Sequence, residues 1–597
     1  IKKAIYSVLA GLSTILFSMA WTGWWHILGF ILGAFGIYFL FVVIKEFTNF
    51  KNLFKNLKNN ELVLRVYQPL GYYFASFVVF SFVSAMIYGW HKNVLTLLYQ
   101  ALLSGPLGFL TLKEVAITTI WPNVLTTVAE LNPSSWLKAI GDTGSIFLFI
   151  IALVGIIFCF KKDTSGNKSF HGILLLLWLG GTTFAAASSL RFSALMVPAF
   201  AVSFGLGAGF LVKYLPKLVN KSLDVNYKIT RIVLIIVFIL VLIQPIKAGY
   251  NVSINEVPSF NDDWYNSLQR IQEGSNDAII SSWWDFGHWF VAMGERRVTH
   301  DGGNQGKRIH WIGRSLQTSS EKESVDIIKM LNCGQEESYK KLENYTSETE
   351  IKDSYLAITT LKSIIGKERS VAKDELLNIG LTNKQAEDVL QYSHCDDLID
   401  NYMIASEDMV GKAGVWGHFG SWDFTKGAMY QAVKGQKKAD GVDILITRFG
   451  LDEEKAVDIY FDVQNNNADR WVSGWPGYIS NPRSCSNKEN SLECTNNVQG
   501  NAISVNVDLQ SMTATVNTNN GQKVVPDSIV YADASGLHEK KLQGEAKTGF
   551  SLALIPRTNG GYNSMFISPE LAASMFTSMF FYEGHGLWCY DAFGHDV

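Results

Sequence analysis

The sequence predicts a helical domain that crosses a membrane several times, followed by a mixed α/β domain outside the cytoplasm with a β-rich accessory part. Hydrophobic residues make up 48% of the 597 residues, and the mean hydropathy is +0.11. Long apolar runs fill the chain up to about residue 247, after which the composition is that of a soluble domain. We therefore expect a membrane domain at 1–250, a mixed α/β core at 251–440 and a β-rich accessory region at 441–597.

Seven apolar runs predict membrane spans, since a crossing helix needs about 17–25 apolar residues. They lie near 4–20, 24–45, 71–89, 144–160, 171–188, 192–213 and 230–248. Basic connectors around Lys2, from Lys45 to Arg65, at Lys161 to Lys168 and from Lys213 to Arg231 all fall on one side if the seven spans alternate. Basic loops stay in the cytoplasm, so the loop 90–143 and everything beyond residue 248 are expected to face outward.

The net charge restricts the kinds of partner that the protein can bind, and the cysteines bear on the compartment. A net charge of −3, without a basic cluster carrying interleaved aromatic residues, argues against a nucleic-acid partner. Cys485 and Cys494 flank a short polar loop. They could pair outside the cytoplasm, although the spacing is equally compatible with two separate thiols.

The most informative stretch is Trp283-Trp284-Asp285-Phe286-Gly287. Indole N–H groups donate hydrogen bonds and a carboxylate accepts them, while glycine permits a tight turn that brings these groups together. Such a cluster suits a small ligand group that both donates and accepts, such as a hydroxyl. The alternative is a buried aromatic cluster beside a chance acid.

The stretch resembles the Trp-Trp-Asp-Tyr-Gly signature of the oligosaccharyltransferase catalytic subunit, with Phe286 in place of the tyrosine. On the outward loop, Thr127-Val128-Ala129-Glu130 is similar to the family's Thr-Ile-x-Glu motif. The single-chain layout, with a histidine after Phe-Gly, resembles the archaeal form. The resemblance implies a GT-C type membrane domain. It also implies transfer of a glycan from a dolichol or other polyprenyl phosphate or pyrophosphate to the asparagine of Asn-x-Ser/Thr in an acceptor protein.

The resemblance also implies roles for individual residues. Glu130 would be catalytic, holding the acceptor asparagine and binding Mn²⁺ or Mg²⁺, which prefer oxygen ligands; the alternative is a solvated loop glutamate. Trp283, Trp284 and Asp285 would bind the hydroxyl at position +2 of the acceptor. Arg191, at the outer turn between two spans, would contact the donor phosphate, or it could snorkel to the interface.

Asp408 and Lys412 are similar to the family's Asp-x-x-Lys element beside the acceptor pocket, but they stand one residue further apart. Glycines at 411 and 414 favour an irregular helix here. A surface ion pair worth about 0.2–0.5 kcal/mol is the alternative. The loop from His300 to Gln305 is expected at the surface, with function as a second possibility.

Outside these motifs, the sequence predicts a helix from Asn261, a strand at 277–282, a helical excursion at about 318–398 and β-strands beyond about 440. No aspartate precedes Asp142, and no glutamate precedes Glu46, which lies on a cytoplasmic connector. The acidic residues that the family carries on its first outward loops are thus expected in a preceding segment, and this polypeptide alone should be inactive. Two other classes stay open: another polyprenyl-phosphate-dependent membrane glycosyltransferase, and a non-enzymatic membrane-anchored binding protein.

Overall fold

The computed structural model describes residues 2–46, 61–88, 94–105, 119–160, 168–346, 354–517, 523–533, 535–558 and 560–594. The chain divides into two compact units. Unit 1 comprises Ile1–Val115 and Val128–Val257, and unit 2 comprises Ala116–Thr127 and Pro258–Val597.

Unit 1 is helical, and each predicted span coincides with a helix. The helices are α1 Lys2–Ala20, α2 Trp25–Glu46, α3 Glu61–Tyr88, α4 Val94–Tyr99, α5 Trp136–Gly141, α6 Ile146–Cys159, α7 Lys168–Ser188, α8 Ser193–Leu223 and α9 Tyr227–Asn255. Among the described residues, five helical stretches are long and apolar enough to cross a membrane, within α1, α3, α7, α8 and α9, while the apolar parts of α2 and α6 are shorter. The chain is therefore a multi-pass membrane protein.

The apolar helix α4 was not predicted. It continues as a π-helical turn over Gln100–Ser104, inside the segment that the sequence assigned to the outward loop 90–143. Its apolar part, Leu95–Ser104, is too short to be predicted as a membrane-spanning segment. The basic residues Lys51, Lys55, Lys58, Lys161 and Lys162, on which the orientation depends, lie outside the described residues.

Two glycines allow α6 and α8 to approach closely. A Cβ added at Gly155 would lie 2.2 Å from the Ser203 carbonyl oxygen, and one added at Gly207 would lie 2.0 Å from that of Ile151. Small residues at helix contacts are typical of membrane bundles, where close backbone approach replaces the hydrophobic effect as a source of attraction.

The longer segment of unit 2 begins with the predicted helix, strand and tight turn, followed by a short helix. Asn261 caps α10 (Asp262–Gly274) by accepting a hydrogen bond from the Trp264 N–H at 3.0 Å, and two aspartates occupy the positive end of that helix. Strand β1 (Ala278–Ser281) follows, and after a 3₁₀ turn at Trp284–Phe286 comes α11 (Gly287–Met293). β1 is the centre of a parallel three-stranded sheet between β2 (Arg297–Val298) and β3 (Asp400–Met403).

The predicted helical excursion lies between β2 and β3. Its helices are α12 Arg308–Gln317, α13 Glu321–Gly334, α14 Glu337–Thr346, α15 Ser354–Ile364, α16 Arg369–Asn378 and α17 Asn383–Leu390. A disulfide between Cys333 and Cys395, which was not predicted, joins the end of α13 to the segment before β3. Asn332 reinforces this junction, since its side chain donates to the Ile399 carbonyl at 3.3 Å and accepts from Asn401 at 3.1 Å.

Residues 407–471 are helical, so the β-rich region begins at Arg483 rather than near residue 441. The helices are α18 Glu407–Gly411, α19 Ala413–Gly420, α20 Phe424–Val433, α21 Lys438–Phe449, α22 Glu453–Asn465 and α23 Ala468–Trp471. Leu445 of α21 and Val463 of α22 are fully buried in the same core as β1 and α12. Apolar residues at helical spacing therefore continue the main core past the predicted boundary.

The β-rich region contains two five-stranded sheets. Its strands are β4 Arg483–Ser484, β5 Ser486–Lys488, β6 Ser491–Val498, β7 Asn501–Asp508, β8 Thr513–Asn517, β9 Lys523–Val524, β10 Ser528–Asp533, β11 Gly536–Lys541, β12 Ser551–Pro556 and β13 Tyr562–Ile567. The sheet orders are β11-β10-β12-β13-β4 and β5-β6-β7-β8-β9. Helix α24 (Met575–Phe581) follows them.

The predicted alternation is confirmed in this region. Val505, Val507 and Val516 are buried in a core that both sheets share, while their neighbours along the strands are less buried. Cys485 and Cys494 form a disulfide, as one of the two alternatives predicted. Residues 518–522, which connect β8 to β9, lie outside the described residues.

Candidate acceptor-binding site

The parallel sheet brings three sequence segments to one edge. β1 pairs in parallel with β2 (Ile280 beside Val298) and with β3 (Ser281 beside Met403), so all three strands end on the same side. The segment after β1 carries the tryptophan motif, the one after β2 carries His300 to Gly303, and the one after β3 carries Ser406 to Lys412. Ligands of open parallel sheets bind outside the carboxyl ends of the strands.

Small polar side chains hold these strand ends in register. The hydroxyls of Ser281 and Thr299 lie 2.6 Å apart, and the Asn401 side chain donates to Ser281 Oγ at 2.9 Å. Ser282 Oγ donates to the Ile404 carbonyl at 2.9 Å. All three strand ends are thus joined below the motif by hydrogen bonds that are buried or partly buried, which fixes the positions of the residues that follow.

Trp283 lies in the core rather than at the surface. It is 1% exposed, stacks against Phe419 at a centroid distance of 6.0 Å and meets the edge of His300 at 6.1 Å. The resemblance implied that Trp283 contacts a hydroxyl together with Trp284 and Asp285. Its burial favours instead a supporting role, because alternate positions of an extended segment point to opposite faces.

Trp284 and Asp285 provide the donor and the acceptor. The Trp284 indole N–H is buried and has no hydrogen-bond partner among the described residues. Leaving such a donor unsatisfied costs about 1–3 kcal/mol. The Asp285 side chain is 21% exposed, so its carboxylate is partly accessible to solvent. Two residues adjacent in sequence thus offer an unsatisfied donor and a partly exposed acceptor, the two kinds of group that a hydroxyl can pair with.

Lys412 joins Asp285 and Asp408. Its Nζ lies 2.5 Å from Asp285 Oδ2 and 3.0 Å from Asp408 Oδ2. Ser406 Oγ donates to the other oxygen of Asp408 at 2.7 Å. Burial by itself lowers the pKa of Lys412, but its hydrogen bonds to Asp285 and Asp408 outweigh this and raise the pKa above its ordinary value. The ammonium therefore stays charged and orients both carboxylates.

Lys412 also marks a break between two helices. α18 ends at Gly411 and α19 begins at Ala413, with Lys412 at φ −101° and ψ 7° between them. The irregular helix expected from Gly411 and Gly414 is thus present. The extra residue between Asp408 and Lys412, compared with the family element, places them at the i, i+4 spacing that suits a helical ion pair.

Phe286 stands where the resembling family has tyrosine. Its ring is 7% exposed and lies 4.9 Å from Trp289 and 5.0 Å from Trp264, measured between centroids. The Lys412 ammonium lies 5.0 Å from the same ring, which is a cation–π distance. The Phe286 ring thus contacts the Lys412 ammonium. Unlike the family's tyrosine, it has no hydroxyl that would need a hydrogen-bond partner of its own.

Gly287 allows the turn that follows β2 to pack closely against the tryptophan motif. A Cβ at this position would lie 2.6 Å from the His300 carbonyl oxygen and 2.6 Å from Asp301 Cβ. Asp301 in turn accepts hydrogen bonds from the N–H groups of Gly303 and Asn304 at 2.9 and 2.8 Å. The loop from His300 to Gln305, expected at the surface, is therefore packed directly against the motif.

We expect Gly287→Ala to lower the free energy of unfolding by about 1–3 kcal/mol, because overpacking against backbone forces the turn to move. Gly474→Ala is a suitable control, since a Cβ there would meet nothing within 4 Å. The measurement is chemical denaturation of both variants followed by tryptophan fluorescence. Equal stability of the two variants would contradict the close contact.

Two buried histidines below the site make unit 2 sensitive to acid. Burial, assisted by a nearby cation (Arg308 for His300, Lys362 for His310), lowers the pKa of both histidines to about 3. Both must be neutral in the folded state, whereas unfolded histidine protonates near pH 6.5. Their stabilisation is therefore complete above about pH 6.5 and is lost as the pH falls towards 3.

We expect the free energy of unfolding to fall by about 2 kcal/mol per histidine between pH 7 and pH 5. His310→Gln should remove about half of the combined slope, while His585→Gln, at an exposed position, should leave it unchanged. Denaturation at the two pH values measures the slope. A slope that is the same in wild type and His310→Gln would show that other groups cause the acid sensitivity.

Glu130 and Arg191 lie in unit 1 on two adjacent turns. Glu130 is in the 3₁₀ turn Ala129–Leu131 and Arg191 in the 3₁₀ turn Leu190–Phe192, and both residues are exposed. Ser189 Oγ donates to the Glu130 carbonyl at 3.0 Å, and the Leu190 N–H donates to the Asn132 carbonyl at 3.2 Å. Two residues far apart in sequence thus stand on neighbouring turns.

The described residues do not form a complete metal site. No group of three or more histidine, cysteine, aspartate or glutamate side chains lies close enough among them to hold a metal ion. Glu130 is thus a single carboxylate, and one carboxylate does not make a site for Mn²⁺ or Mg²⁺, which take several oxygen ligands. The predicted role of Glu130 as a metal ligand stays a prediction.

The fold and the site together define the class of protein. The chain is a multi-pass membrane protein whose second unit carries the tryptophan motif, Asp408 and Lys412 at the ends of a parallel sheet.

The comparisons with known proteins name the family. The chain is 30% identical over 501 residues to the dolichyl-phosphooligosaccharide-protein glycotransferase of Methanocaldococcus jannaschii, covering 70% of this chain and 51% of the relative. It is 26% identical over 512 residues to the protein of the same name from Methanococcus voltae, covering 71% and 54%. The chain is thus a relative of the dolichyl-phosphooligosaccharide-protein glycotransferases, and the resemblance drawn from the tryptophan motif is confirmed.

The chain spans about half the length of the curated relatives it matches. Among solved structures, it is similar to the archaeal oligosaccharyltransferase from Archaeoglobus fulgidus in complex with an inhibitory peptide and a dolichol-phosphate. The match has 14% identity, covers 92% of this chain and 78% of that one, and has a TM-score of 0.36. No protein-family model matches the chain.

Proposed function

We propose that this chain carries the acceptor-recognition part of an oligosaccharyltransferase. The enzyme would transfer a glycan as one block from a dolichol or polyprenyl phosphate or pyrophosphate to the asparagine of Asn-x-Ser/Thr. The observation that carries the proposal is the unsatisfied indole N–H of Trp284 beside the carboxylate of Asp285, which Lys412 holds in place. The names of the curated relatives support the same activity.

The hydroxyl at position +2 of the acceptor would complete the hydrogen bonding of these two groups. The serine or threonine oxygen accepts from the Trp284 N–H, and its hydrogen is donated to Asp285. A site built to hydrogen-bond a hydroxyl rejects a ligand without one strongly, because its own polar groups are then left unpaired. Discrimination against alanine at this position follows directly.

The asparagine needs activation as well as binding. An amide nitrogen is a weak nucleophile, because its lone pair is delocalised into the carbonyl. A carboxylate that accepts hydrogen bonds from the amide N–H groups disturbs this delocalisation, and Glu130 is the residue proposed for that role. Arg191, on the turn beside Glu130, would hold the phosphate of the donor, since a guanidinium matches phosphate geometry.

A divalent cation, Mn²⁺ or Mg²⁺, would neutralise charge on the departing phosphate. Glu130 is the proposed ligand from this chain, and the remaining ligands would have to come from outside the described residues. The orientation proposed for unit 2, outside the cytoplasm, is where a lipid-linked glycan and a secreted acceptor would meet.

The test is a transfer assay with the whole gene product that contains this chain. Membranes are supplied with native lipid-linked oligosaccharide and a fluorescent Asn-Ala-Thr peptide, with Gln-Ala-Thr and Asn-Ala-Ala peptides as matched controls. We expect glycopeptide from the first peptide alone, with the glycan on asparagine by mass spectrometry. Equal transfer to Asn-Ala-Ala would overturn the hydroxyl pocket. Transfer only to a lipid or sugar acceptor would favour another polyprenyl-phosphate glycosyltransferase, and binding without transfer would favour a non-enzymatic protein.

A further inference from the structure

The chain itself carries four Asn-x-Ser/Thr sequences in which x is not proline. They begin at Asn167, Asn220, Asn251 and Asn344. Such a sequence is an acceptor for N-glycosylation only on the side of the membrane where the glycan is transferred. Asn167 and Asn220 lie on the two basic connectors that are expected in the cytoplasm. Asn251 and Asn344 are therefore the two candidates on the outward side.

Asn251 lies too close to the expected bilayer to be a good acceptor. It belongs to α9 and stands three residues beyond the predicted span 230–248. A helix rises 1.5 Å per residue, so Asn251 is about 5 Å from the end of that span. The headgroup layer extends about 5–8 Å beyond the hydrocarbon core on each side. Asn344, in α14 of unit 2, is the candidate that remains.

The Asn344 side chain points to solvent from the last turn of α14. Asn344 is exposed, whereas Leu342 is fully buried and Thr346 is only 9% exposed. A glycan attached to the Asn344 side-chain nitrogen would extend into solvent and displace no residue of the core. The folded protein can therefore carry a glycan at this position.

The other two residues of the sequence are bound into the fold. Thr346 Oγ1 donates to the Leu342 carbonyl at 2.8 Å. The Tyr345 hydroxyl donates to the Asp388 carboxylate of α17. The hydroxyl that defines the sequence is thus already paired and buried once α14 has packed.

Helical geometry separates the two groups that an acceptor must offer. Side chains at i and i+2 of a helix do not face each other, and here Asn344 is on the solvent side while Thr346 is on the core side. In an extended segment, side chains at i and i+2 lie on the same side. An enzyme that pairs with the hydroxyl while it reacts at the asparagine needs the extended form.

We propose that Asn344 is an N-glycosylation site of this chain, modified while residues 344–346 are extended and before α14 forms. The proposal rests on the function and the orientation proposed above. In the reaction, the bond between the anomeric carbon of the glycan and the phosphate oxygen of the lipid carrier breaks, and the phosphate leaves with its electron pair. A bond forms between that carbon and Asn344 Nδ2, which gives up one proton to solvent. Once α14 has formed, the buried Thr346 hydroxyl ends acceptor activity.

The first test is peptide mapping by mass spectrometry of the whole gene product, purified from the cells that naturally make it. We expect a glycan on the peptide that contains Asn344 and none on the peptides that contain Asn167 or Asn220. Thr346→Ser keeps a hydroxyl and should keep the glycan. Thr346→Val has a similar shape without the hydroxyl and should lower occupancy by at least about 100-fold.

Thr359→Val is the matched control. The Thr359 hydroxyl also donates to the carbonyl four residues before it, at 2.8 Å, but no asparagine stands two residues ahead of it. Occupancy of Asn344 should be unchanged in this variant. Because the glycan is attached before folding, the comparison can be read even if Thr346→Val folds poorly.

The second test addresses the order of events. A fluorescent peptide of residues 339–349 and the folded chain, made in a host without lipid-linked glycans, are each added to active membranes. We expect transfer to the peptide to be at least about tenfold faster, because only a minor, locally opened population of the folded chain offers both groups together. Equal rates would overturn the claim that modification precedes folding.

The outcomes separate this site from the proposed function. An unmodified Asn344 in cells whose membranes glycosylate an Asn-Ala-Thr peptide would overturn the site alone, as would a glycan on Asn220 instead. Absence of transfer to every peptide would count against the proposed function. A glycan found on Asn344 in that case would support the site and assign its modification to another enzyme.

Discussion

Asp285→Ala is expected to lower glycan transfer to an Asn-Ala-Thr peptide by about 100- to 1000-fold. The substitution removes the acceptor for the proposed hydroxyl and also removes one of the two carboxylates that hold Lys412. A buried or partly buried polar group left without its partner costs several kcal/mol in total, and each 1.4 kcal/mol corresponds to a factor of ten. Asp285→Asn keeps an oxygen that can accept and should lose less.

The assay is kcat/KM for the peptide, with Asp277→Asn as the matched control. Asp277 also forms an ion pair, with Arg297 at 2.6 Å, but its side chain is 69% exposed and lies at the other end of β1. Surface pairs of this kind contribute about 0–1 kcal/mol. If Asp285→Ala were as active as the Asp277→Asn control, the carboxylate would have no part in binding the acceptor.

Removing the Cys333–Cys395 disulfide is expected to lower the free energy of unfolding by about 4 kcal/mol. The two cysteines are 62 residues apart, so the bond restricts a long loop in the unfolded chain. That loop contains α14 to α17, and it closes just before β3, the strand that delivers Asp408 and Lys412. Loss of the bond should therefore weaken the site as well as the fold.

The second disulfide is the matched control within the same chain. Cys485 and Cys494 are nine residues apart, and the same loop-closure relation gives about 2.5 kcal/mol. The double Cys→Ser variants of both pairs are compared by chemical denaturation with and without reductant. A larger loss for the Cys485–Cys494 pair would contradict the loop-length explanation.

The sequence predicted those features that depend on local pattern. The strand, turn and helix around Trp283 to Gly287, the seven apolar helices and the alternating strands after residue 500 all follow from periodicity and glycine placement. The resemblance to the oligosaccharyltransferase family was carried by two short motifs, and the relatives confirm it.

Features that depend on long-range packing could not be predicted in this way. The burial of Trp283 results from Phe419, which lies more than a hundred residues away. The helices after residue 440 were assigned to the β-rich region, because polar residues on their exposed faces hide the period of the buried ones. Apart from Cys589, unit 2 contains four cysteines, and an even number suggests a second disulfide beside Cys485–Cys494. Spacing alone, however, does not identify the partner of Cys333.

Combining protein and peptide variants tests most directly whether Asp285 recognises the acceptor hydroxyl. Wild type and Asp285→Ala are each assayed with Asn-Ala-Thr and Asn-Ala-Ala peptides, which gives a double-mutant cycle. We expect wild type to prefer threonine by at least about 100-fold and Asp285→Ala to prefer it by less than about threefold, so that the two losses are not additive. A threonine preference that survives unchanged in Asp285→Ala would contradict the account.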